Sequence, residues 1–146
     1  MSATSQSKKK FRLRGKQLLL TWPQNNTDMD LVLTNLVDLF KTNLTFAIVA
    51  QELHKDGKEH LHAVISLAKR IDWTNMKKLD QVAGGKHGNY QTCRSLIASV
   101  KYVVKDGRYV AHGVNVETFL KQAKMKKRGY TLYTLSRVVI LRREKG

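Results

Sequence analysis

Two histidines separated by one apolar residue, His60-Leu61-His62, lead into the apolar run Ala63-Val64-Ile65. Side chains alternate along a strand, so both imidazoles stand on one face of a sheet. Glu52 adds a carboxylate upstream. One carboxylate with two imidazoles suits a divalent cation with open positions, Mn²⁺ or Mg²⁺, and zinc also fits the ligand types. Such an ion polarises a phosphoryl oxygen and orients the scissile group. Farther on, Tyr102 and Lys105 lie three apart in Tyr102-Val103-Val104-Lys105, which puts them on one helical face. A phenol with a pKa of about 10 needs a stabilising charge before it attacks phosphorus. Lys105 offers that charge to the phenolate or to the pentavalent transition state. The chemistry these residues suggest is phosphodiester cleavage by a tyrosine nucleophile. Each piece also has a plainer use: unliganded histidines on a half-exposed sheet, an amphipathic tyrosine, a snorkelling lysine.

Hairpin geometry decides whether Glu52 joins the histidines. Leu44 to Leu53 and His60 to Leu67 read as strands, with Asp56-Gly57 marking the turn between them. A two-residue loop would set Glu52 opposite Leu61, facing away from both imidazoles. A three-residue loop, Lys55-Asp56-Gly57 with Gly57 left-handed, sets Glu52 opposite His60. The odd loop, or an equivalent bulge, is expected because it completes the metal site. His54 is expected to point to the other face and not to be a primary ligand.

Other elements position these two. Lys16 to Trp22 reads as a buried first strand stopped by Pro23, the only proline. Thr27 is expected to cap a first helix over 28–41, with Leu33, Leu36, Val37 and Phe40 at helical spacing. Asp72 to Leu79 reads as a short helix capped by Asp72 and closed before Gly84-Gly85. Asn89 to Cys93 reads as a short strand. Ser95 to Lys105 is the tyrosine helix, with Leu96, Ile97, Val100, Val103 and Val104 as its expected buried stripe. Tyr109 to Ala111 suggests an edge strand, and Asn115 caps a last helix reaching about Lys126 and ended by Gly129. The segment Tyr130 to Leu141 is apolar without a clean period and leaves strand and helix open.

The chain has 146 residues, enough for one domain with a real core, and its 42% apolar content fits a globular fold. A net charge of +16 and a pI of about 10.2 point to a polyanionic partner. No apolar run reaches the ~20 residues that span a bilayer, so no membrane association is expected. Lys8-Lys9-Lys10 is not followed by the apolar stretch of a signal peptide. The single cysteine, Cys93, excludes an intrachain disulfide and reads as a small buried hydrophobe. Residues 1–10 read as a disordered basic tail, 11–128 as the functional domain, and 129–146 as an extension of open structure. Candidate DNA contacts are Lys16 at the start of the first strand and Thr21, Trp22 and Pro23 at its end, with Lys86, His87, Asn89 and Arg94 between the histidine strand and the tyrosine helix. Trp22 is either a core residue or a platform for a base. The run Lys121, Lys124, Lys126, Lys127, Arg128 either follows a phosphate backbone or covers a helix.

Taken together these motifs resemble the HUH-type replication initiator (Rep) domain of circular single-stranded DNA viruses and related plasmids, and within it the geminivirus-like branch. The resemblance rests on Leu19-Leu20-Thr21-Trp22-Pro23-Gln24, on Glu52-Leu53-His54 followed by His60-Leu61-His62, on Tyr102-Val103-Val104-Lys105 before Asp106-Gly107, and on His87-Gly88-Asn89-Tyr90-Gln91. It covers roughly residues 11–120. It implies an α+β, RRM-like fold: a central antiparallel sheet of about five strands flanked by helices. It implies Glu52, His60 and His62 as metal ligands, Tyr102 as nucleophile and Lys105 as its assistant. It further implies nicking and rejoining of single-stranded DNA at an origin stem-loop through a 5′-phosphotyrosine, work in the host nucleus, and a homo-oligomer in a longer parent protein. The interval between the metal strand and His87 departs from that branch and lacks a Gly-Arg-Ser element. No Gly-x-x-x-x-Gly-Lys-Ser/Thr loop is present, so the chain is expected either to be an endonuclease piece or to come from a parent without a helicase. The rival readings are a non-catalytic basic RRM-like binding module, which would need base-stacking aromatics that are sparse here, and a structural basic protein of a ribonucleoprotein particle.

Overall fold

Apolar residues dominate the middle strand of this chain on both of its faces, as in a sheet covered on two sides. The computed structural model describes residues 11–135 and 138–143; the expected basic tail, 1–10, lies outside them. The elements are β1 (Leu13–Trp22), α1 (Met29–Phe40), β2 (Leu44–Leu53), β3 (Glu59–Trp73), α2 (Lys77–Val82), β4 (Asn89–Thr92), α3 (Leu96–Val104), β5 (Tyr109–His112), α4 (Val116–Lys127), β6 (Tyr130–Leu135) and β7 (Val138–Arg143). The first five strands form one sheet in the order β4-β1-β3-β2-β5, with every neighbouring pair antiparallel. This is the α+β architecture with a five-stranded antiparallel sheet flanked by helices that the motifs imply.

Alternation divides the core into two layers. Leu18, Leu20 and Trp22 of β1, Ala47 and Val49 of β2, and Leu61, Ala63 and Ile65 of β3 pack against Val32, Leu36 and Phe40 of α1 and Leu79 and Val82 of α2. The opposite face carries Ile48, Ala50 and Val64 against Val100 and Val103 of α3 and Val116 of α4. Even-numbered residues of β2 and β3 therefore face α3. Glu52, His60 and His62 continue those even rows to the open end of the sheet.

Several expectations change. Helix α1 is capped by Asp28, whose side chain accepts from the Asp30 N–H. Thr27 is unavailable because Asn25 Oδ1 accepts both its N–H (3.0 Å) and its hydroxyl (2.6 Å). Asp72 caps no helix. β3 runs past Leu67 to Trp73 by pairing with the start of β1 across a bulge at Gly15/Gln17. Asp72 there receives two bonds from Arg12, at 2.6 and 2.7 Å, while Trp73 stacks on Phe40. Helix α2 consequently starts at Lys77. Ile97 is no part of the buried stripe and is 40% exposed. The described parts of the ambiguous C-terminal stretch are strands: β6 and β7 pair antiparallel as a separate two-stranded sheet, while 136–137 lie outside the described residues.

Candidate active site

The β2–β3 turn has the odd parity that the site requires. The His54 N–H bonds to the Lys58 carbonyl (3.0 Å) and the Gly57 N–H to the His54 carbonyl (2.9 Å), which leaves Lys55-Asp56-Gly57 as the loop. Gly57 has φ of 78°, the left-handed conformation that glycine adopts without a Cβ penalty. Glu52 then pairs with His60 in register, and Ala50 with His62.

On this face Glu52 Oε2 lies 2.9 Å from His62 Nε2 and 3.6 Å from His54 Nε2. Among the described residues, Glu52, His54 and His62 bring one donor atom each within 4.8 Å of one another and could hold a metal ion. The exclusion of His54 was therefore a parity error: residues 52 and 54 are two apart and share a face. His60 is not part of that converged trio. Its ring stacks on His54 at a centroid distance of 3.6 Å. Its Nε2 is buried with no hydrogen-bond partner. An orphaned buried imidazole nitrogen costs about 1–3 kcal/mol, and a bound cation is one partner that removes the cost. The donor set, carboxylate plus imidazoles, fits a divalent ion.

α3 delivers the remaining groups. Ser95 caps it by accepting the Ala98 N–H at 3.2 Å, and Lys105 is its C-cap residue. Val100 and Val103 anchor the helix on the sheet and leave Tyr102 47% exposed. The Tyr102 ring meets His62 edge-on at 5.4 Å. Lys105 Nζ sits 3.2 Å from Glu52 Oε1 and 4.6 Å from the centre of the Tyr102 ring. One lysine thus bridges the carboxylate and the phenol. Burial pushes the Glu52 carboxyl upward, but bonds from Lys105 and His62 outweigh it and hold the group below its ordinary range. The bond to Glu52 raises Lys105, so its ammonium stays charged. Burial lowers His62 despite the Glu52 carboxylate, so a neutral imidazole is favoured.

The proposed DNA contacts separate into different places. Thr21 turns inward: its Oγ1 lies 3.2 Å from His62 Nδ1, a role that sequence reading missed because it needs the β1–β3 register Thr21↔His62. Trp22 is fully buried and takes the core alternative, since no face of its ring is open to a base. Its Nε1 donates to Tyr90 Oη at 3.0 Å. Tyr90 Oη also accepts the Gly88 N–H and donates to Asp80, which in turn holds His87 at 2.9 Å. Pro23, Lys16 and Asn89 are exposed. Lys86 lines a polar depression with Gln24, Asn25 and Lys58, whereas Arg94 lines another with Tyr102 and Leu19. Lys86 and Arg94 thus lie in different depressions.

The family described as geminivirus Rep catalytic domain matches residues 11–118. Replication-associated protein A of tobacco yellow dwarf virus (strain Australia) is 30% identical over 133 residues, covering 90% of this chain and 44% of that protein. Replication-associated protein A of bean yellow dwarf virus is 34% identical over 106 residues, covering 72% and 36%. The replication-associated protein of cabbage leaf curl virus (isolate Jamaica) is 32% identical over 111 residues, covering 72% and 32%. The chain spans less than half the length of each of these relatives. The matched span runs from β1 into α4 and takes in the hairpin of Glu52, His60 and His62 and the helix of Tyr102. By that match the chain belongs to the geminivirus Rep catalytic domain family.

Proposed function

We propose that this domain is a metal-dependent, sequence-specific endonuclease and strand-joining enzyme for single-stranded DNA that serves to initiate rolling-circle replication. The observation that carries the reading is the placement of Tyr102 and Lys105 over the Glu52–His62 cluster. Glu52, His60 and His62 would hold Mn²⁺ or Mg²⁺. His60 is assigned on its orphaned Nε2, and His54 shields it by stacking. When bound, the ion polarises a non-bridging phosphoryl oxygen and orients the scissile group.

The chain's own residues do the rest. Tyr102 loses its phenolic proton and attacks the phosphorus in line; the new O–P bond forms as the P–O3′ bond breaks. The departing 3′-oxygen takes up a proton, leaving a free 3′-hydroxyl and a 5′-phosphotyrosine. Phosphodiester bonds are conserved in number, so the same hydroxyl can reverse the step and rejoin the strand. The Lys105 ammonium stabilises the phenolate and the added charge on phosphorus. Half-exposure of Tyr102 leaves a scissile phosphate free to approach. A single strand is preferred because its backbone can bend to bring one phosphate to both Tyr102 and the imidazoles.

The test is cleavage of a randomised single-stranded oligonucleotide pool and of its duplex, with Mn²⁺ or EDTA, by wild type and Tyr102→Phe. Cleavage by wild type with Mn²⁺ alone, confined to single strands, is expected. Binding without cleavage by either protein would favour a non-catalytic binding module.

A further inference from the structure

A broad groove lies apart from the catalytic cluster, between α3 and α4. Its floor is apolar, formed by Ile97 and Ala98 of α3 and Leu120 and Ala123 of α4. Six cations rim it, Lys101, Lys121, Lys124, Lys126, Lys127 and Arg128, against one carboxylate, Glu117. Among the described residues none of these six is ion-paired. Uncompensated charge around a concave, partly apolar trough fits a polyanion whose sugars have an apolar side.

The groove is continuous with the nucleophile. Ala98 lies one helical turn before Tyr102 and lines both this groove and the depression that holds Tyr102, Leu19 and Arg94; Ser95 is likewise shared. A strand whose phosphate sits at Tyr102 must extend beyond it, and a basic trough begins one turn away on the same helix.

We propose that the α3–α4 groove carries the phosphodiester backbone of the strand that Tyr102 cleaves, on the nucleotides flanking the scissile phosphate. This rests on the nicking reading and adds a second binding track to it. Among the described residues no aromatic side chain lines the groove, so it reads the backbone and contributes affinity with no base preference. It also explains why Ile97 stays exposed while Val100 and Val103 of the same helix are anchored on the sheet: it underlies the sugars.

The test uses the full chain and an oligonucleotide whose cleavage site has been mapped. Two lengths are compared by fluorescence anisotropy: one ending close to the scissile phosphate, one with about eight further nucleotides on each side, within the span a small domain tracks. Wild type should bind the long oligonucleotide more tightly. The triple variant Lys101→Gln/Lys121→Gln/Lys124→Gln should lose that margin, with a log-affinity against log-salt slope shallower by about 2, from ~0.7 per lost single-strand phosphate contact. Its affinity for the short oligonucleotide and its cleavage rate on it should equal wild type, which also shows that the variant folds. Equal long-strand affinity and slope in the two proteins would overturn the proposal. So would a wild type that gains nothing from length yet binds an acidic amphipathic helical peptide in a Lys101-dependent way. Failure of both proteins to cleave either length counts against the nicking reading alone; the length and salt comparison decides the groove.

Discussion

His60 and Thr21 are the side chains on which the metal account turns. His60 Nε2 is buried without a partner, whereas the His54 side chain is 43% exposed and reaches Glu52 only at 3.6 Å. Replacing His60 by alanine should therefore weaken Mn²⁺ binding by more than about 100-fold, as for loss of a direct ligand, and replacing His54 by less than about tenfold, below the usual effect of an outer partner. Calorimetric titration of both variants checks this; the reverse order would make Glu52, His54 and His62 the ligand set. Thr21 acts through His62. With a carboxylate oxygen 2.9 Å from Nε2, that nitrogen carries the proton and Nδ1 accepts from the Thr21 hydroxyl. A cation needs the Nε2 lone pair, so the proton must move to Nδ1, and the same hydroxyl can then accept it. Only a group that both donates and accepts serves both states. Thr21→Val should cost about 10–100-fold in Mn²⁺ affinity and Thr21→Ser little, again read by calorimetry. An unchanged affinity in Thr21→Val would remove this role.

At the scale of elements, the hairpin and the Tyr90 network hold the site's two sides. The hairpin was legible in the sequence: Asp56-Gly57 marks the turn, and the demand that Glu52 meet two imidazoles selects the odd loop. Helix α3 was legible too, because Ser95 and the valine spacing fix its start and its buried side. The length of β3 was not, since it depends on a bulge at Gly15/Gln17 and on Trp73 stacking over Phe40, both of them long-range events. Asp72 looked like a cap for the same reason; its partner, Arg12, is sixty residues away in sequence. The inward roles of Thr21 and Trp22 depend on strand register, which no local pattern encodes. Trp22, Tyr90, Asp80 and Gly88 form a buried hydrogen-bonded set that ties β1 to β4 and to the end of α2. Tyr90→Phe leaves the Trp22 N–H and the Gly88 N–H without an acceptor and should cost about 1–3 kcal/mol, measured by urea unfolding. Burial, then the bond to Asp80, raises the Tyr90 hydroxyl well above its ordinary value. A folded-state pKa above the unfolded one means that the unfolded chain loses the proton first. This contribution is full below about pH 10 and falls as pH climbs above it. Wild type should therefore lose stability faster than Tyr90→Phe from pH 10 upward; parallel curves would contradict the assignment.

For the whole molecule, two faces of one sheet divide the work. Helices α1 and α2 seal one face, and the other gives its open end to the catalytic groups and its flank to the α3–α4 groove. The charge of +16 announced a polyanion and the run Lys121, Lys124, Lys126, Lys127, Arg128 offered it one track, but only the packing of α3 beside α4 adds Lys101 and makes a groove of them. The central claim is that Tyr102 becomes covalently joined to DNA. The direct measurement is mass mapping: incubate the chain with single-stranded oligonucleotides and Mn²⁺, isolate the covalent adduct, digest with trypsin and nuclease, and locate the nucleotide. Lys101 and Lys105 flank the nucleophile, so the account predicts the remnant on the four-residue peptide Tyr102-Val103-Val104-Lys105, through a tyrosine phosphodiester. A remnant on the peptide of Tyr90 or Tyr109, or cleaved DNA with no adduct at all, would contradict it.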